Sequence, residues 1–190
     1  RRTKWTALLL TALTTLSLGQ VQTDLRLLRY PDINGDSGVF TYAGDLWKWT
    51  GSGLSQRLTT HPGEEFRAKF SPDGKWIAFT GVYDGNPDLF VIPAVGGEPK
   101  RLTFESGADY AVDWTPEGKI AYITSYGGFK GQIPRLLTID PKGGIPETTP
   151  ILEIHQGTIS ADGNTVVYQR FPGSNQWWRN YRGGMQPYIS

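Results

Sequence analysis

There is no cysteine in the 190 residues, and there are only two histidines. Without cysteine no disulfide framework is possible, so burial of side chains has to hold the fold together. Two histidines, His61 and His155, far apart and without thiolate neighbours, do not make a zinc site. Charge of one sign is also missing. The chain carries 19 Lys+Arg against 18 Asp+Glu, scattered singly as on a solvated β surface, with none of the basic patches by which proteins hold nucleic acid. No apolar run reaches the roughly 20 residues that span a bilayer. There is no Gly-x-Ser-x-Gly elbow, and the serines cluster at turn positions.

The first residues differ from the rest. Arg1, Arg2 and Lys4 precede Ala7-Leu8-Leu9-Leu10-Thr11-Ala12-Leu13, and small residues follow near Ser17-Leu18-Gly19. A basic start, a short apolar stretch and a small-residue exit predict a secretory signal peptide over residues 1–22, cleaved between Gly19 and Thr23, and an exported, periplasmic or secreted location. A retained anchor is the alternative. Without the three basic residues of that segment, the charge balance is 16 against 18.

Turns and aromatic residues are abundant. Seven Trp, eight Phe and nine Tyr supply a large apolar payload. Ser71-Pro72-Asp73-Gly74-Lys75-Trp76-Ile77-Ala78-Phe79-Thr80 recurs as Thr115-Pro116-Glu117-Gly118-Lys119-Ile120-Ala121-Tyr122-Ile123-Thr124 and as Ser160-Ala161-Asp162-Gly163-Asn164-Thr165-Val166-Val167-Tyr168-Gln169. Pro presets φ at the first central position of a turn and Gly supplies the left-handed residue that re-enters a strand. Two further landmarks keep the phase: Asp45-Leu46-Trp47 with Asp88-Leu89-Phe90, and Arg57-Leu58-Thr59 with Arg101-Leu102-Thr103. Phe66-Arg67-Ala68-Lys69-Phe70 and Tyr110-Ala111-Val112-Asp113-Trp114 stand just before two of the turns. Four short strands per repeat of roughly 40–45 residues predict the blades of a β-propeller, rather than an ordinary β-sandwich with evenly spaced turns. The fold class is therefore all-β, an incomplete propeller of about four four-stranded blades. Pro31-Asp32-Ile33-Asn34-Gly35-Asp36-Ser37-Gly38-Val39-Phe40 reads as a degenerate first turn and strand, extending the array back to about residue 30.

Several segments invite a chemical reading. Asp32, Asn34 and Asp36 begin like a calcium loop, but Ser37 and Ala43 stand where such a loop needs Gly and Glu, so the segment reads as a turn. His61 sits where a strand exits into a loop, His155 is placed in the corresponding region of a later blade, and both read as structural. Asp84-Gly85-Asn86-Pro87-Asp88 and Ser125-Tyr126-Gly127-Gly128-Phe129-Lys130-Gly131 occupy one blade position; they are hairpin connections or, jointly, a mouth for a peptide. Trp177-Trp178-Arg179-Asn180-Tyr181-Arg182-Gly183-Gly184 is dense in aromatic and cationic residues, and packing between blades is preferred there to stacking on a ligand. No catalytic, cofactor-binding or metal-binding residue is assigned, and no cofactor is expected.

Leu28-Arg29-Tyr30-Pro31-Asp32-Ile33, Gly44-Asp45-Leu46-Trp47, Arg57-Leu58-Thr59-Thr60-His61-Pro62-Gly63-Glu64-Glu65 and Phe70-Ser71-Pro72-Asp73-Gly74-Lys75-Trp76-Ile77-Ala78-Phe79 resemble the start of tricorn-type proteases. Trp178-Arg179-Asn180-Tyr181-Arg182-Gly183-Gly184 resembles a later segment of the same propeller. The resemblance covers about residues 26–190. It implies a longer chain in which propellers filter and channel peptides toward a PDZ domain and a serine protease core related to C-terminal processing peptidases. The catalytic Ser and His of that family belong to the core, so no residue here inherits a catalytic role. Peptides or unfolded polypeptide, and the downstream PDZ and protease domains, are the expected partners, with homo-oligomerisation possible and nucleic acid not expected. The archaeal prototype is cytoplasmic, the alternative location. The Ser-Pro-Asp-Gly turn is shared with the TolB propeller and with propellers of prolyl-oligopeptidase relatives, which stay open as a periplasmic protein-binding scaffold and as the partner of an α/β-hydrolase.

Overall fold

The computed structural model describes residues 27–51, 53–127 and 133–170. The expected signal peptide and the Trp177–Gly184 segment lie outside them. The described residues form fourteen strands: β1 (Arg29–Asn34), β2 (Ser37–Tyr42), β3 (Asp45–Thr50), β4 (Gln56–Arg57), β5 (Glu65–Phe70), β6 (Trp76–Gly81), β7 (Asp88–Pro93), β8 (Lys100–Arg101), β9 (Asp109–Trp114), β10 (Ile120–Thr124), β11 (Arg135–Ile139), β12 (Glu147–Leu152), β13 (Gln156–Ile159) and β14 (Val166–Gln169). They make three four-stranded antiparallel sheets in chain order, β1 to β4, β5 to β8 and β9 to β12, and a β13–β14 hairpin. This is an all-β, incomplete β-propeller. Three blades are whole within the described residues, and the first hairpin of a fourth follows.

Side chains alternate across a strand, and here both faces of the second and third sheets are covered, which is why β6, β7 and β10 read as nearly continuous apolar runs. Ile77 and Phe79 of β6, with Phe90 and Ile92 of β7, pack toward the first sheet against Val39 and Leu46. Ala78, Leu89 and Val91 of the same two strands point the other way, against Ala111, Trp114, Ile120 and Tyr122. A third layer joins Val112, Ala121, Ile123 and Leu136 to Ile154, just before the hairpin, and to Ile159 and Tyr168 within it. The core is thus a series of wedges between blades.

The recurrent turns close alike. Gly74, Gly118 and Gly163 have φ of +69°, +81° and +72°, and each donates its N–H to the carbonyl of the Ser or Thr three residues earlier. The first and third also bind the Ser hydroxyl to the Asp carboxylate two residues on. Aligning the phrases residue by residue sets Trp76 against Ile120, but Phe70 pairs with Ile77 whereas Trp114 pairs with Ile120. The first turn is one residue longer, and the extra residue, Trp76, is exposed. The degenerate first copy also departs from expectation. Asp32, Ile33 and Asn34 belong to β1, and only Gly35-Asp36 turns the chain between the paired residues Asn34 and Ser37.

The inner strands bind blade to blade. Asp32 accepts the Phe70 N–H at 2.9 Å and pairs with Lys69 at 2.9 Å. Two blades further, Asp113 accepts the Ile159 N–H at 2.9 Å and the Thr158 hydroxyl at 2.7 Å. The Trp114 indole reaches back to the Lys69 carbonyl at 2.9 Å.

Candidate functional site

The first strand of each of the three whole blades carries an irregularity at one position. Register shifts fall between Arg29 and Asp32, between Phe66 and Lys69, and beside Val112. Tyr30 and Arg67 take left-handed φ of +51° and +55°, conformations that non-glycine residues rarely adopt and that a β-bulge imposes on the strand it bends. By register, Tyr30, Arg67, Ala111 and Gln156 are equivalent. These four, with the next residue in each strand, line one hollow of about 440 Å³. Residues from β1 and β13 line it together, so the blades curve around it.

Aromatic rings step around its rim. Tyr30 lies 5.9 Å from Phe66 and Phe66 lies 6.2 Å from Tyr110, centroid to centroid. Arg67 projects among them with its guanidinium carbon 4.9 Å above the Tyr110 ring. Burial holds the Arg67 guanidinium below its ordinary pKa, while Tyr30 and Tyr110 pull the other way. His155 occupies the strand position of Phe66 and Tyr110, and burial together with the Arg67 charge keeps it neutral to lower pH than usual. A second hollow of about 380 Å³ adjoins, sharing Tyr30 and bounded by Arg29, Tyr42, Glu65 and Phe66. An aromatic rim with one lightly partnered cation offers apolar and charge-assisted contacts to an extended chain.

The other singled-out residues fall elsewhere. His61 stacks on Tyr83 with ring centroids 3.7 Å apart and accepts the Gly63 N–H through Nδ1. It therefore locks the loop before β5 and does not correspond to His155, which stands at the inner rim. The two histidines come from different points of the repeat, a distinction that spacing to the nearest turn obscures. Asn86 of the Asp84–Asp88 loop donates to the Glu105 and Gly107 carbonyls, and Asp84 pairs with Arg101 at 2.9 Å. That loop is a brace to the next blade. Of the Ser125–Gly131 segment only residues 125–127 are described. Among the described residues no group of three His, Cys, Asp or Glu side chains is placed to hold a metal ion.

The recurrent Asp-Leu and Arg-Leu-Thr phrases build a polar network at the first two blade junctions. Asp45 pairs with Arg57 at 2.7 Å, as Asp88 does with Arg101 at 2.7 Å. The Thr59 hydroxyl accepts the Leu46 N–H and donates to Glu65; the Thr103 hydroxyl accepts the Leu89 N–H in the same way and hydrogen-bonds to Asp109. Glu65 and Asp109 open β5 and β9, and both are buried. Ile154 holds the same place before β13, so the third junction is apolar.

Radial four-stranded sheets around an inner hollow define a β-propeller. More narrowly, residues 25–190 match the model of the tricorn protease N-terminal beta propeller domain, and the chain belongs to that family. It is 31% identical over 162 residues to tricorn protease homolog 1 of Streptomyces coelicolor, covering 83% of this chain and 15% of that protein. A protein of Sulfurisphaera tokodaii, provisionally named a tricorn-like protease N-terminal subunit, is 30% identical over 161 residues, 82% of this chain and 80% of its own length. The crystal structure of the tricorn protease superposes with a TM-score of 0.72 at 26% identity, over 86% of this chain and 17% of that one. TolB from Acinetobacter baumannii shares the fold, with a TM-score of 0.63 at 24% identity over 78% of this chain and 39% of that one. The chain thus spans about 15% of the length of the Streptomyces relative.

Proposed function

We propose that this chain is the N-terminal propeller portion of an exported, tricorn-like serine peptidase, and that its inner hollow admits extended peptides on their way to a protease core elsewhere in the assembly. One observation carries the reading. Equivalent positions of four inner strands line a single hollow, and two of them, bulged into left-handed backbone, present a tyrosine ring and a guanidinium there, beside the Phe66 and Tyr110 rings. Family membership supports it, and so does the named role of the Sulfurisphaera relative as an N-terminal subunit. The propeller itself performs no bond chemistry; it selects by bore, charge and stacking.

The test is hydrolysis of fluorogenic peptides of increasing length by the full gene product. Arg67→Glu is expected to raise KM for peptides of about eight residues or more, and to leave kcat on the shortest ones unchanged. No hydrolysis by the full gene product, with retained capture of a folded partner, would replace this reading by that of a TolB-type binding scaffold. Equal kinetics for Arg67→Glu and wild type at every length would remove the hollow from the path.

A further inference from the structure

The junction network occurs twice, complete once and incomplete once. In the first copy each oxygen of Glu65 has a donor: Oε1 takes the Tyr83 phenol at 2.6 Å, and Oε2 takes the Leu46 N–H and the Thr59 hydroxyl. Tyr83 follows β6 by two residues and rests on Phe90, centroids 4.4 Å apart. In the second copy Asp109 replaces Glu65 and Tyr126 replaces Tyr83, since Thr124 holds the register of Gly81. The acid is one methylene shorter, and Tyr126 turns outward, 48% exposed. Asp109 is 1% exposed, and its Oδ1 has no hydrogen-bond partner.

A hollow of about 310 Å³ opens where the phenol would lie, bounded by Asp109, Tyr126, Phe104, Leu137, Glu105 and Arg135. Arg135 Nε is buried beside it, also without a partner, while Nη2 of the same group is engaged with the Tyr126 carbonyl at 3.2 Å. Two residues that line one hollow, Asp109 and Arg135, thus each carry a buried polar atom without a partner, and leaving such groups unmet is costly. Two carboxylates against one guanidinium leave a negative balance that a single positive charge neutralises. An ammonium next to a carbonyl, on an apolar residue, meets all these conditions.

We propose that the hollow between Asp109 and Tyr126 is a binding site for the free amino terminus of a peptide. The α-ammonium donates to Asp109 Oδ1, the first carbonyl accepts from Arg135 Nε, and the first side chain lies against Phe104 and Leu137. The site rests on the peptide-handling reading above only in taking peptides as its ligand.

The test is calorimetric titration of the full gene product with alanyl-leucyl-alanine amide, its N-acetylated form, and an N-acetylated lysyl-leucyl-alanine amide, with hydrolysis followed in parallel. The free-amine peptide is expected to bind at least 10-fold more tightly than either acetylated one. Asp109→Asn is expected to bring it down to their level with the unfolding midpoint kept as a control. Equal affinity of free and acetylated peptides on the wild-type protein overturns the site, even should the variant fail to fold. Equally tight binding of the acetylated lysyl peptide overturns the assignment to the terminus. Hydrolysis with acetylation-insensitive binding removes this site alone, whereas acetylation-sensitive binding without hydrolysis removes the peptidase reading alone.

Discussion

Glu65 shows how a buried charge is tolerated. Desolvation raises its carboxyl above the ordinary 4.5, and the Thr59, Tyr83 and Leu46 donors pull it back only in part. In the window between the ordinary and the raised value the folded chain holds more protons than the unfolded one, so stability falls as pH rises through it. Glu65→Gln is expected to flatten that dependence, read as urea midpoints between pH 4 and 7; an unchanged slope would assign it to other groups. Asp162 works in the opposite sense. Hydrogen bonds from Ser160 and Asn164 hold it at about 2, so its contribution is present above the ordinary 3.8 and is lost as pH falls toward 2. Thr59→Val keeps the shape but strips a donor from Glu65 and an acceptor from the Leu46 N–H. It should cost about 1–3 kcal/mol by denaturant unfolding.

At the scale of strands and turns, most of the design was legible. The phrases recurring near every 44 residues are turns feeding β6, β10 and β14, and the Asp-Leu and Arg-Leu-Thr landmarks mark third and fourth strands. Less legible was why those landmarks recur. Asp45 meets Arg57 across the β3–β4 pairing twelve residues away, and Thr59 meets Glu65 in the next blade, a contact that appears only once the sheets pack together. The bulges at Tyr30 and Arg67 had no sequence mark at all, because neither residue is one that favours a left-handed backbone. Asp109→Glu is expected to restore the missing reach, draw Tyr126 inward as Tyr83 is, and raise the unfolding midpoint. A lowered midpoint would show that the methylene does not fit. Gly63 is a tighter case: a Cβ there would stand 2.1 Å from the Val82 carbonyl oxygen. Gly63→Ala should therefore shift the loop under His61 and cost about 1–3 kcal/mol.

At the scale of the molecule, burial among the described residues is uneven. Strands β6, β7 and β10 are buried along almost their entire length, whereas β12 and β14 alternate between half-buried and exposed. Local opening follows the density of buried contacts. Hydrogen exchange in the full gene product should accordingly be slower in β6, β7 and β10 than in the short outer strands β4 and β8; the reverse order would mean that the wedges are not the source of stability. The inner hollow was the least legible part of the candidate site, since its lining is drawn from four strands that no local pattern links. Its four equivalent positions hold tyrosine, arginine, alanine and glutamine. None of them belongs to the wedge layers that join the blades except Ala111. Three of the four can thus change independently of the scaffold, so descendants of one propeller can acquire new appetites at the axis by single substitutions while the architecture around it stays as it was.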